Sequence, residues 1–116
     1  MPLIQVHLNT AAPVELTEFH NQLSELIAQG IGKPEDYVMT RISANESLCF
    51  ARSNEPAAYV EVKNIGNMTA TQTSSLSQKI CQAIRDSAGI PPDRVYIEFC
   101  NAKRHLWGWN SKTFAD

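Results

Sequence analysis

The chain has 116 residues, a formal net charge of −2, 43 % hydrophobic residues and 19 % charged ones. A chain of this length falls in the usual range of one domain, residues 1–116, and buries roughly two thirds of its unfolded surface on folding. No run approaches the roughly 20 apolar residues of a membrane span, and the slightly acidic balance supplies no field for nucleic acid, so neither a membrane nor a polynucleotide is expected as a partner.

Met1 to Leu8 lacks a basic leader and a long apolar stretch, so residence in the cytoplasm is expected, with any export proceeding without a secretory signal. Cys49, Cys81 and Cys100 contain no C-x-x-C pair and read as small buried hydrophobes. His7, His20 and His105 have no metal-ligand spacing, and no metal or other cofactor is expected.

Leu3, Ile4, Val6 and Leu8 predict a first strand that ends at the turn-prone pair Asn9-Thr10. Pro13 suits a first helical position, and Leu16, Phe19, Leu23, Leu26 and Ile27 recur at spacings of three and four, the apolar face of a helix. Gly30 and Gly32 are expected to stop it, and Tyr37 to Ile42 to form the next strand. After a short apolar piece at Leu48-Cys49-Phe50 and a turn at Ser53 to Pro56, Ala57 to Ile65 reads as a third strand. Thr69-Ala70-Thr71-Gln72 fits a capping box for a second helix with its stripe at Leu76, Ile80, Ala83, Ile84 and Ala88. Gly89 ends that helix, and Val95 to Phe99 alternates as a half-buried strand.

The two halves echo each other. Gly32-Lys33-Pro34-Glu35-Asp36-Tyr37 follows the first helix, and Gly89-Ile90-Pro91-Pro92-Asp93-Arg94-Val95-Tyr96 follows the second. Two pseudo-repeated βαβ units with right-handed crossovers give an α+β two-layer fold, a four-stranded mixed sheet with both helices on one face. The other face is expected to be apolar and buried in a symmetric homo-oligomer.

Met1-Pro2 opening directly into a strand, Gly32-Lys33-Pro34, Asn64-Ile65-Gly66, Pro92 to Ile97, and Gly108-Trp109-Asn110 with Thr113-Phe114-Ala115 occur in order along almost the whole chain. On these residues the chain resembles the macrophage migration inhibitory factor family of the tautomerase superfamily. The resemblance implies a homotrimer around a central channel with active sites between subunits, and keto–enol tautomerisation of phenylpyruvate-like 2-oxo acids and dopachrome derivatives.

By the same resemblance Pro2, exposed once Met1 is removed, is the general base. A free α-amine has a pKa of about 7.7 to 8.0, and burial or a neighbouring cation lowers it, which leaves the amine neutral near working pH. Lys33 would hold the substrate carboxylate, the backbone N–H of Ile65 would bind the same anion, and Tyr96 of the adjoining subunit would sit beside the substrate. Leu3 and Ile4 are expected to make the surroundings of Pro2 apolar. Leu3, Tyr37, Trp107, Trp109 and Phe114 are the expected pocket lining, with Trp107 at the mouth.

Two departures matter. The vertebrate relatives' C-x-x-C pair is replaced here by Ala57 and Val60, so thiol-disulfide activity is not carried over. Glu98 stands where the best-known relatives bind substrate through an asparagine. A carboxylate there would raise the pKa of Pro2, repel an anionic substrate or pair with Lys33, so weakened turnover is expected. Lys103, Arg104 and His105 form a small basic cluster beside Trp107 that reads as a solvated turn.

A cytokine-like trimer that meets a protein receptor, its pocket a relic, is the alternative function. A ferredoxin-like module for nucleic acid or a regulatory metabolite fits the βαβ pattern but leaves Pro2 unexplained.

Overall fold

Side chains alternate across a strand and recur every three to four residues along a helix, so the apolar positions of this chain can meet in one layer between a sheet and two helices. The computed structural model describes residues 1–116. Strand β1 (Leu3–Leu8) leads through helix α1 (Leu16–Ile31) to strand β2 (Met39–Ser43), and β3 (Ala58–Ile65) leads through α2 (Ala70–Ala88) to β4 (Val95–Ala102). The sheet order is β2-β1-β3-β4. Each βαβ unit is internally parallel, and β1 meets β3 antiparallel with Ile4 opposite Val62 and Val6 opposite Val60. This is the two-layer duplicated architecture that the sequence predicts.

The core lies between sheet and helices. Ile4, Val6, Leu8, Val60 and Val62 point into it from the central strands, and Phe19, Leu23, Ile27, Leu76, Ile80 and Ile84 from the helices. Helix α2 starts on the expected capping box: the Thr69 hydroxyl accepts from the Gln72 N–H at 3.1 Å, and the Gln72 side chain accepts from the Thr69 N–H at 2.9 Å. Both helices end on a left-handed glycine, Gly32 at φ 79° and Gly89 at φ 71°.

Four local expectations are corrected. Helix α1 begins at Leu16 rather than Pro13, with no side chain capping it at Glu15; Leu16 itself is exposed, and Phe19 is the first residue of the helix to enter the core. Gly30 lies inside α1 and does not stop it. Tyr37 belongs to a 3₁₀ turn (Glu35–Tyr37), and the strand starts two residues later. Only Cys81 is partly buried, whereas Cys49 sits on an exposed loop and Cys100 on the outer side of β4.

The helix-free face of the sheet is polar, contrary to the apolar face expected. Gln5 donates to Glu61 at 3.0 Å, Arg41 to Gln5 at 3.2 Å and the Tyr59 hydroxyl to Glu61 at 3.0 Å. The odd-numbered positions of β1, β2 and β3 carry these groups, while the even ones fill the core. Burial raises the Tyr59 pKa first, followed by its hydrogen bond to Glu61 and the charges of Glu61 and Glu98.

Gly30 has a tertiary reason. A Cβ there would stand 2.3 Å from Leu76 Cδ2 and 2.9 Å from its Cγ, and Leu76 is fully buried with nowhere to swing. Alanine gains about 1 kcal/mol in helix propensity, but overpacking costs about 1–3 kcal/mol, so Gly30→Ala should lose roughly 1 kcal/mol net. Urea denaturation checks this, and a stabilised variant would contradict the close helix contact.

Candidate active site

Pro2 enters the sheet at one end of β1, where its carbonyl accepts the Met39 N–H at 3.0 Å. Its ring is buried, although the residue stands almost at the chain terminus. The neighbouring Leu3 pairs with Met39 on one side and Lys63 on the other, so two strands fix the position of the terminus.

An apolar cleft of about 580 Å³ opens beside Pro2. The expected lining residues Leu3, Tyr37, Trp107, Trp109 and Phe114 all border it. Tyr37 meets Trp109 edge to face at 5.9 Å, and Trp109 stacks on Phe114 at 6.0 Å with their planes 6° apart. The 3₁₀ turn after Pro34 delivers Tyr37, while a small hairpin of β5 (Gly108–Trp109) and β6 (Lys112–Thr113) delivers the other two. The Phe114 N–H closes that hairpin on the Trp107 carbonyl at 3.2 Å. Ile4 does not contribute, since strand alternation sends it into the core.

On the other side of Met1 lies a second, polar cleft of about 850 Å³, bordered by Lys33 and Ile65 as well as Lys103, Arg104 and His105. Lys33 follows the left-handed Gly32, and its N–H bonds the Ala28 carbonyl at 3.0 Å, so the helix end determines where its side chain starts. Met1, Ala102 and Phe114 border both clefts, which places the chain terminus at their junction. The terminal amine is held below its ordinary pKa, first by burial and then by the charge of Lys33.

Tyr96 and Glu98 border neither cleft. Tyr96 lies 4.8 Å from the Phe50 ring in a third, small apolar hollow, and Glu98 pairs with Glu61 in the β3–β4 register on the helix-free face. Within one chain Pro2 and the five lining residues share the apolar cleft, Lys33 and Ile65 border the polar one, and Tyr96 and Glu98 belong to neither.

Lys63, Met39 and Cys100 also border the apolar cleft and were missed by the sequence reading. Only the strand order, which brings β2 and β3 to either side of β1, reveals the first two. The outward alternation of β4 places Cys100 there, a signal present in the sequence once that strand's facing is known.

The arrangement suits proton transfer on an anionic substrate with an apolar body: a partly buried terminal amine with a weakened affinity for protons, a cation on one side and an aromatic wall on the other. Comparison with known proteins agrees in class. The model of the family "Macrophage migration inhibitory factor (MIF)" matches residues 1–115. Macrophage migration inhibitory factor of Mus musculus is 30 % identical over 115 residues, 99 % of this chain and 100 % of that protein. The structure of a homologue from Prochlorococcus marinus superposes with a TM-score of 0.93 at 38 % identity, covering 97 % of this chain and 98 % of the other. That of the factor from Trichinella spiralis gives 0.87 at 28 % identity, covering 96 % and 98 %. The fold and the terminal site define a member of the tautomerase superfamily. Within it, the chain belongs to the macrophage migration inhibitory factor family.

Proposed function

We propose that this protein is a keto–enol tautomerase for small aromatic 2-oxo acids of the phenylpyruvate or dopachrome type, with the nitrogen of Pro2 as general base after removal of Met1. The observation that carries the reading is the placement of the Met1–Pro2 terminus, with Pro2 lining the aromatic cleft and Met1 bordering both it and the cationic one. The substrate carboxylate binds Lys33 and the backbone N–H of Ile65, and the ring lies against Tyr37, Trp109 and Phe114. Pro2 takes a proton from the carbon next to the carbonyl, the electron pair moves toward oxygen, and a proton is returned there to complete the enol. No cofactor takes part.

The working assembly in this reading is a homotrimer. It supplies a use for Tyr96 and Glu98, which stand away from Pro2 in their own chain, as residues of a neighbouring subunit's site. Sedimentation of the pure protein as a monomer at all concentrations would remove that part of the reading. Thiol-disulfide chemistry is left out, because Ala57 and Val60 stand where the vertebrate pair would be. Phenylpyruvate turnover by the native protein and by a Pro2→Gly variant tests the central assignment.

Glu98 weakens the activity in this reading, since a carboxylate beside the base favours the protonated amine. Glu98→Asn should raise phenylpyruvate turnover at neutral pH by up to about tenfold, the change in neutral base that one pKa unit brings. An unchanged rate would show that Glu98 does not face the site. Membership of the macrophage migration inhibitory factor family also favours a second reading, a signalling trimer recognised by a protein receptor, and the two functions are compatible.

A further inference from the structure

The polar cleft holds more positive charge than one carboxylate calls for. Lys33, Lys103 and Arg104 border it together with His105, and no aspartate or glutamate does. None of the four makes an ion pair; the only ion pairs in the chain are His7 with Glu46 and Lys63 with Glu61. Like charges gathered without a counter-charge repel each other, and a bound anion relieves that repulsion.

The local fold turns Lys103, Arg104 and His105 to one side. Strand β4 ends at Ala102, and a 3₁₀ turn (Arg104–Leu106) closes with the Leu106 N–H on the Lys103 carbonyl at 3.0 Å. Residues 103–105 face the polar cleft, and Leu106 and Trp107 face the aromatic one. Arg104 is also pinned, because its Nε donates to the Phe114 carbonyl at 3.1 Å. That single bond orients the guanidinium and leaves its terminal nitrogens free to form a paired contact with a carboxylate or phosphate.

We propose that Lys103 and Arg104, assisted by His105, form a second anion subsite, and that the preferred substrate is a 2-oxo acid carrying a second acidic group close to the first. The proposal rests on the tautomerase reading and sharpens its substrate class. The first carboxylate takes Lys33 and the second takes the turn, both in the polar cleft, and the carbon that loses its proton lies toward Pro2, across the boundary formed by Met1, Ala102 and Phe114. A monoanionic aryl pyruvate fills only part of the site.

The test compares oxaloacetate, a dianionic 2-oxo acid, with phenylpyruvate, a monoanionic one. In the Lys103→Ala/Arg104→Ala protein the ratio of kcat/KM for oxaloacetate to that for phenylpyruvate should fall about tenfold or more, as expected for loss of charge-assisted contacts. Lys103→Gln, which spares the Arg104 bond to Phe114, should move the ratio in the same direction. Calorimetric titration with malonate, a dianion that needs no turnover, provides a readout independent of catalysis: its affinity should fall in both variants and with added salt. An unchanged ratio, or equal malonate affinity in native and variant proteins, overturns the second subsite. Absence of turnover of either 2-oxo acid by the native protein refutes the tautomerase reading instead and leaves the malonate result to decide the second subsite alone.

Discussion

Retaining Met1, or inserting an alanine ahead of Pro2, should lower phenylpyruvate tautomerisation by at least about 10²-fold while the circular dichroism spectrum stays unchanged, because a positioned general base contributes about 10²- to 10⁴-fold. Either change converts the proline nitrogen into an amide, which has no basic lone pair. The fold should tolerate both. Pro2 is anchored through its carbonyl to the Met39 N–H, and its nitrogen takes no part in the sheet ladder. Extra residues extend into the junction of the two clefts, where Met1 already sits in this structure.

The same site predicts a pH dependence. The terminal amine here titrates below its ordinary value because burial and Lys33 disfavour its charged form. After removal of Met1 the amine belongs to Pro2, which lines the apolar cleft, and that lining is expected to disfavour its charged form as well. The neutral form is the base, so kcat/KM should rise as pH climbs through that lowered pKa and level off above it. A rise centred at the ordinary pKa of an exposed α-amine would mean that the clefts do not act on the nitrogen. Full activity in the alanine-inserted protein would remove Pro2 from the mechanism altogether.

A feature's legibility in the sequence depends on the range of the interaction behind it. Local signals were readable. The Thr69–Gln72 box, the left-handed glycines at 32 and 89 and the alternation of Ile4, Val6 and Leu8 each follow from contacts within a few residues, and each stands as expected. Gly30 looks like a stop signal in the sequence, but its cause is Leu76, 46 positions away on the other helix. The polar helix-free face was misread because three strands share its network, with Glu61 linking Gln5 and Tyr59.

The site divides in the same way. Pro2, Lys33 and the aromatic lining carried a recognisable order along the chain, so they could be named before their positions were known. Their separation into two clefts could not be read, since it depends on a three-residue turn after β4 and on one arginine bond to a carbonyl ten residues further on. The Lys103-Arg104-His105 run read as a solvated turn for this reason. Its side chains are exposed, but they share a concavity with Lys33.

Lys33→Ala provides the second large effect, and it separates two jobs that one cation performs. As the carboxylate's partner, Lys33 contributes charge-assisted contacts whose loss should lower kcat/KM about 10- to 100-fold, mostly through KM. As a cation near the terminus, it is the second cause, after burial, of the lowered pKa of the Met1 amine, and it should act in the same direction on the amine of Pro2. Removing it lets the amine hold its proton to higher pH, so the rising limb of the pH profile should move in the alkaline direction. Burial remains in the variant, so the limb should still lie below the position of an exposed amine. Lys33→Arg retains the charge from the same helix end beyond Gly32, and it should keep the profile in place while altering KM through its different reach. A Lys33→Ala protein with a raised KM and an unmoved profile would confine the lysine to substrate binding. One with an unchanged KM and profile would mean that the anion is held elsewhere, and the polar cleft would lose its place in the mechanism.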